Sequence, residues 1–590
     1  MLRLIRSQTR TNAMKQLMKR PLIRLAKHLS KWQDVIHQHS VLETARQRLA
    51  LAMGLVVIGF VVIGGRLVDV MVIRSGANQQ TDLETASDGL SIPRADILDR
   101  NGEVLATHLV TASVYANPKV ILNPREAALK LSKLLPHVGY TVLLQRLTSQ
   151  KGFIWLARHV PPKLQQEINH LGVPGVYLKK DYKRVYPYGQ LVSHVLGYCG
   201  IDNNGLSGVE KFFDVKLQND KSALKLSVDV RIQHIVHDEL TKAISEFRAV
   251  GGNAMVMDLK TGEVVAMVSL PDFDPNLPNQ NDQKATFNRN TLGVYEPGSI
   301  FKVLNVAIAL ESGTASLRSV YDATSGVKIG RFTVTDFRGK NRELSLAEAF
   351  IYSSNIAAIK MAQQFGTQTQ KMYMDKFGIF KPTTVEVPEI GQPLVPVAWS
   401  SATTMTVSYG YGVSVTPLQA LTTIAGVINN GHRPKPTLIY KDKLSEIPPS
   451  SDPIVSEKTS QTIRTFMRIN AKEGPGKRAD QGKFKVFAKT GTAYQAKHGN
   501  YGAVKTRTNS CVGGFPYDNP RYVFLVVLDD PQPTKTTYGF AAAGWNAAPT
   551  AGKMVARMAP ILGVQPAEED EEETTAPGWT SVKHTNGGND

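Results

Sequence analysis

Three short strings of this 590-residue chain carry side chains suited to moving an acyl group: Ser299-Ile-Phe-Lys302, Ser353-Ser354-Asn355 and Lys489-Thr490-Gly491-Thr492. A serine hydroxyl is a weak nucleophile until a neighbouring base takes its proton. Ser299 follows Glu296-Pro297-Gly298 and opens an almost wholly apolar stretch, Ile300 to Leu310, with Gly313 beyond it. Proline before and glycine after are helix punctuation, and a helix apolar on every side is buried. The Ser299 hydroxyl is therefore expected at a buried helix N-terminus, where free N–H groups favour developing negative charge. Lys302, three residues on, shares its face, and burial disfavours the ammonium form, leaving an amine that can act as base.

Ser353-Ser354-Asn355 falls between two helical stretches, Leu344 to Ile351 and Ile356 to Phe365. There Ser353 could relay a proton, while the Asn355 amide holds Lys302 and a substrate amide. Lys489-Thr490-Gly491-Thr492 ends a strand. Gly491 would let a substrate backbone approach, a peptide could add along that edge as a further strand, and Lys489, Thr490 and Thr492 would hold a carboxylate. Each string alone has a plainer reading, as a capping serine, a polar turn or a strand end. A second serine-x-x-lysine, Ser222-Ala-Leu-Lys225, has no helix behind it and reads as chance. The weight lies in three strings, in this order, in one chain.

The elements that must position them follow from periodicity. Asn253 to Leu270 reads as two strands around a Lys260-Thr261-Gly262 turn, helices dominate to about 430, and strands return over 484–494 and 509–529 before a last helix, Pro549 to Leu562. Strands first, helices between and strands last suggest an α/β (α+β) domain whose end strands meet in one sheet covered by helices. Upstream, 74–225 is a mixed region without a catalytic set. The expected organisation is a basic tail (1–48), a membrane anchor (49–73), a non-catalytic pedestal (74–225), a catalytic domain (226–563) and an acidic disordered tail (564–590).

Net charge is +19, with +9 in residues 1–48 and −6 in 564–590. A basic folded region favours anionic partners, but no nucleic-acid module accompanies it, and the thirteen histidines form no metal-ligand cluster. No metal or organic cofactor is implied. Leu49 to Gly65 is uncharged, and apolar residues continue to Ile73, enough to cross a hydrocarbon core of about 30 Å. The positive excess precedes it, so the N-terminus is expected in the cytoplasm and the rest outside. The long lead and the lack of a small-x-small site speak against a cleaved signal peptide. Residues 14–32 could lie on an acidic membrane surface or form a disordered basic tail. Cys199 and Cys511 read as two buried small hydrophobes. Glu568 to Glu573 are six consecutive acids, expected to be solvated and without chemistry.

The three strings together resemble those of the penicillin-recognising serine acyltransferases, with Ser354 where aspartate is usual. Glu296-Pro297-Gly298-Ser299, Ser408-Tyr-Gly-Tyr-Gly412 and Thr416-Pro417-Leu418-Gln419 are similar to class B penicillin-binding proteins. So are Arg94, Asp99-Arg100-Asn101-Gly102, Arg184, Tyr186-Pro187, His194 and Gly205-x-x-Gly208-x-Glu210, which resemble the motifs of that class's pedestal. Ala95 departs from the usual glycine. The resemblance covers roughly 49–563, and the short loop after Lys381 looks like the septal, penicillin-binding protein 3 type. It implies a penicillin-binding-protein/β-lactamase-like transpeptidase domain on a pedestal (the family's dimerisation domain), with one N-terminal transmembrane helix in a bacterial inner membrane and the catalytic domain in the periplasm. It implies a peptidoglycan D,D-transpeptidase with Ser299 as nucleophile, Lys302 as base, and Ser353 and Lys489 in proton transfer. Asn355, Thr490, Gly491 and Thr492 would bind substrate, and the N–H groups of Ser299 and Thr492 would form the oxyanion hole. Implied partners are stem peptides, lipid-linked nascent glycan, β-lactams, a polytopic septal glycosyltransferase and other division proteins. An elongation-type transpeptidase, a β-lactamase, a penicillin-sensing receptor and a non-catalytic division scaffold are the competing readings.

Overall fold

A computed structural model describes residues 51–63, 93–278, 282–441, 452–481, 483–494, 506–567, 576 and 579. The chain divides into two units, Met1–Leu90 and Ser91–Asp590. In the first, residues 51–63 form a helix with exposed apolar side chains. Among the described residues no helix is long and apolar enough to cross a membrane. The rest of the expected anchor and the basic tail lie outside the described residues.

In the second unit the pedestal is built on β1 (Ile97–Leu98), β2 (Val104–Ala116), β3 (Ile154–Val160), β4 (Val176–Val185) and β5 (Leu224–Lys225). The long β2 pairs antiparallel with β1, β3 and β4, and β1 pairs parallel with β5. Alternate β2 residues Ala112, Val114 and Ala116 enter a small core with Leu131, Leu143 and Leu156, as the two-residue strand period requires.

The family-like pedestal residues converge. Glu210 and Arg94 are buried, and the glutamate accepts from Arg94 Nε at 2.9 Å and Arg184 Nε at 2.6 Å. Arg94 also reaches Asp214 at 2.5 Å. Ala95 fits without disturbance, its carbonyl accepting from Arg184 at 2.9 Å. Gly208 is needed where it stands: its φ is +58, in the left-handed region, and a Cβ would lie 2.4 Å from Gly197 N. Asp99 accepts from the Val230 N–H at 3.2 Å, and His194 Nε2 lies 2.8 Å from the Ala285 carbonyl; both contacts join pedestal to catalytic domain.

The catalytic domain is a three-layer stack. Its sheet contains β6 (Gly251–Asp258), β7 (Val264–Leu270), β8 (Phe487–Tyr494), β9 (Arg507–Phe515) and β10 (Tyr522–Asp529), in the order β8-β9-β10-β6-β7, antiparallel throughout. The first hairpin meets the last strand, as expected from the strand–helix–strand pattern. Every residue of β6 is buried, so the sheet is covered on both faces. Met255 and Met257 point into one apolar cluster, shared with α2 (Lys302–Glu311) and α5 (Pro417–Ile428). Ala254 and Val256 point into another, shared with α1 (Val230–Phe247) and α7 (Ala547–Met558). Between α2 and α5 come α3 (Leu346–Ile351) and α4 (Asn355–Lys376), and α6 (Glu457–Glu473) follows α5. Leu344, expected to be helical, sits instead in a short strand, Glu343–Ser345, and Ser345 caps α3 with a reciprocal bond to Glu348.

The expectation of a disordered acidic tail needs correction where the tail is described. Val564 packs on the core, Ala576 is buried, and Trp579 packs against the catalytic domain. The acidic run dominated the sequence reading, but Ala576 and Trp579 carry apolar surface that burial stabilises. Residues 568–573 lie outside the described residues.

Removing Glu210 leaves Arg94 buried without its main counter-charge. Glu210→Ala is expected to destabilise the folded unit by about 3–5 kcal/mol, read as a lowered denaturation midpoint of the full chain.

Candidate active site

Ser299 sits half-buried in a single 3-10 turn, Gly298–Phe301, that runs directly into α2. Gly298 (φ +57) and Gly410 (φ +92) make this turn possible. A Cβ on Gly410 would lie 1.9 Å from the Gly298 carbonyl oxygen, and the Gly298 N–H donates to Gly410 O at 3.0 Å. Glu296 accepts from the Gly412 N–H at 2.8 Å, so the Glu-Pro-Gly-Ser and Ser-Tyr-Gly-Tyr-Gly strings brace one another.

Lys302 is buried at the start of α2. Its Nζ donates to the Ser353 carbonyl at 2.5 Å, to Asn355 Oδ1 at 2.7 Å and to Ser353 Oγ at 3.2 Å. Lys489, fully buried on β8, donates to the same Ser353 Oγ at 3.0 Å and to the Thr490 carbonyl at 3.0 Å. One hydroxyl thus bridges two buried amines. Burial pushes Lys302 well below the usual lysine range, and the nearby Lys489 charge adds to this against the opposing pull of Asp336. Burial also brings Lys489 down, to about 7.

β8 is an edge strand. The Tyr494 N–H donates to the Tyr411 hydroxyl at 3.0 Å, away from β9. Backbone groups alternate along a strand, so the N–H groups of Thr492 and Thr490 face the same free edge. The Thr492 carbonyl lies beside the Ser299 turn, 3.2 Å from where a Gly298 Cβ would be. Thr492 Oγ1 accepts from the Ala543 N–H at 3.2 Å, leaving its own proton available. Gly491 has a structural role besides the expected one in substrate approach. A Cβ there would lie 2.6 Å from Ser510 Oγ and 3.2 Å from Ile300 N, so its smallness lets the nucleophile turn press against β8.

Asn355 divides its amide: Oδ1 holds Lys302, while Nδ2 donates to the Thr335 carbonyl at 3.1 Å. A substrate carbonyl would have to share or replace Thr335. Sequence reasoning missed Asp336. Its carboxylate accepts from Asn355 N at 2.5 Å, Ile356 N at 3.1 Å and Ser354 Oγ at 2.6 Å. It therefore occupies the N-terminus of α4, where negative charge is favoured, and ties down the Ser353 loop. Ser354 caps α4; this explains why a hydroxyl serves at that position. The loop needs holding, because Ser353 has φ +60, a conformation that costs a side-chain-bearing residue energy. An isolated aspartate in an irregular segment offers no periodic signal. The chance string is elsewhere: Ser222 is exposed and Lys225 lies over the Tyr440 ring. Cys199 and Cys511 are both buried and free.

Residues 252–551 match the model of the penicillin binding protein transpeptidase domain, and residues 90–246 that of the penicillin-binding protein dimerisation domain. The chain belongs to the class B penicillin-binding proteins, of the FtsI type. It is 33% identical to a Caulobacter vibrioides protein named "Probable peptidoglycan D,D-transpeptidase FtsI", over 81% of this chain and 83% of that one. It is 30% identical to the Peptidoglycan D,D-transpeptidase FtsI of Escherichia coli K12, over 81% and 85%. It is 29% identical to Stage V sporulation protein D of Bacillus subtilis, over 92% and 89%. The fold is also that of a peptidoglycan synthetase from Bifidobacterium adolescentis, with TM-score 0.65 and 21% identity over 83% of this chain and 99% of that one.

Asp336→Ala removes three bonds from the loop, each charge-assisted bond being worth about 1.5–3 kcal/mol. Acylation of Ser299 by a fluorescent penicillin is expected to slow by about ten- to a hundredfold, with the sheet intact by circular dichroism.

Proposed function

We propose that this chain is a peptidoglycan D,D-transpeptidase of cell division that works through an acyl-enzyme on Ser299. The observation that carries the mechanism is the Ser353 hydroxyl held between Lys302 and Lys489, at 3.2 and 3.0 Å. Lys302, favoured as a neutral amine, takes the Ser299 proton as the oxygen attacks the D-Ala-D-Ala carbonyl of a stem peptide. The N–H groups of Ser299 and Thr492 receive the oxyanion, a contribution worth about 3–4 kcal/mol per donor in enzymes where it has been tested. The peptide C–N bond breaks, and the departing D-Ala amine takes its proton from Ser353, resupplied through the lysines. The amine of a second stem peptide then attacks the ester, forming the cross-link and restoring Ser299.

Asn355 and the free edge of β8 align the donor peptide as an added strand, and Lys489 with Thr490 and Thr492 faces its terminal carboxylate. A β-lactam follows the same path to the acyl-enzyme, its ring opening where the peptide would break. The exposed apolar side chains of the helix over 51–63 suit lipid. With the basic lead, they support a single-pass anchor in the inner membrane, N-terminus in the cytoplasm and catalytic domain in the periplasm. The substrate then arrives as lipid-linked glycan polymerised by a polytopic glycosyltransferase, and the anchor and pedestal are the surfaces on which division proteins would meet this chain.

Full-length protein and its Ser299→Ala variant should be exposed to fluorescent penicillin and analysed by intact mass. A stable adduct on the first and none on the second is expected. A rapidly fading adduct would instead indicate a β-lactamase, and a folded wild type with no adduct would indicate a scaffold.

A further inference from the structure

Ala576 and Trp579, beyond the acidic run, pack on the catalytic domain beside the loop that carries Ser353. The Trp579 N–H donates to the Ala576 carbonyl at 3.0 Å, and Ala576 is buried in the same apolar cluster as α3 and α6. The Trp579 ring meets Tyr352 with centroids 5.5 Å apart, and its Nε1–H donates to Glu473 Oε2 at 3.2 Å. Tyr352 immediately precedes Ser353. Lys340 also sits over the Tyr352 ring, 4.4 Å from its centroid. Glu473 ends α6, and three residues earlier Asn470 donates to the Ile351 carbonyl at 2.9 Å. Trp579 thus touches the two pieces that define where Ser353 begins: the residue before it, and the helix that holds the residue before that.

Ser353 needs such support because its backbone is in the left-handed region and relaxes unless its surroundings fix it. We propose that Trp579 is a positioning residue for the transpeptidase reaction, its ring clamping Tyr352 against α6 and keeping the Ser353 hydroxyl between Lys302 and Lys489. The inference rests on the reaction proposed above. It also goes beyond it, giving a residue of the C-terminal segment a part in acyl transfer.

Full-length wild type, Trp579→Ala, Trp579→Phe, Tyr352→Leu and the Tyr352→Leu/Trp579→Ala double variant decide it by two readouts. The first is fluorescent-penicillin acylation, split into a limiting rate and a half-saturating concentration. Trp579→Ala should lower the limiting rate about tenfold and leave half-saturation within about twofold. Trp579→Phe, which keeps a ring on Tyr352, should recover most of the rate. In the Tyr352→Leu background Trp579→Ala should add little, because coupled neighbours are not additive. The second readout, hydrogen exchange over 349–356, needs no activity: Trp579→Ala should exchange faster there while sheet strands β6 and β10 keep their protection. Unchanged exchange over 349–356 overturns the proposal, even if the wild type fails to acylate, which would count against the reaction instead. So does an unchanged limiting rate, a full additive loss in the double variant, or a loss of protection spread evenly over the sheet.

Discussion

Everything at this site depends on placing a lysine amine where water does not reach and giving it partners that leave it usable. Lys302 is itself buried and begins a helix whose residues Val303 to Ala309 are all buried, so its stem is shut off from solvent. Its acceptors, the Ser353 carbonyl and hydroxyl and Asn355 Oδ1, come from one loop. Lys489 adds a second positive charge to the same hydroxyl. Two amines around one oxygen cannot both be comfortably charged in a dry pocket, and that conflict makes the first of them a base.

The architecture reads as a means of bringing these groups together. Lys302 comes from the central helix, Ser353 from a strained loop, and Lys489 from the sheet edge. The nucleophile turn can lie against β8 because Gly298, Gly410 and Gly491 leave no Cβ in the way. The loop is held by Asp336 at one helix N-terminus and by Asn470 on α6. The pedestal enters through Asp99, which reaches the first residue of α1, and through His194, which is held in the catalytic domain by the Ala285 carbonyl.

How much of this was legible follows from how each residue is encoded. Lys302, Ser353, Asn355 and Lys489 fall into one hydrogen-bonded set, and each lay in a short string whose residue types already specified the chemistry. The buried two-faced strands were visible as continuous apolar runs, such as Tyr522 to Leu528. Asp336 was not visible, because a single acid in an irregular segment has no period and gains meaning only from the helix N-terminus it meets. Gly491 was recognised as a close-approach position, but the partner it admits, Ile300, is distant in sequence. Trp579 was hidden by its neighbours: six acids set the character of the segment, and a single aromatic residue has no period to announce the ring it meets, Tyr352.

The most direct test of the account is the pH dependence of Ser299 acylation, measured on the full chain at limiting penicillin concentration. A depressed Lys302 gives a rate that rises, well below the ordinary lysine range, as the amine loses its proton. It turns over near neutrality as Lys489, at about 7, loses the charge that faces the substrate carboxylate, so the profile is a bell. A rate that instead climbs about tenfold per pH unit up to about 10, the range of an ordinary lysine, would contradict the claim that burial supplies the base.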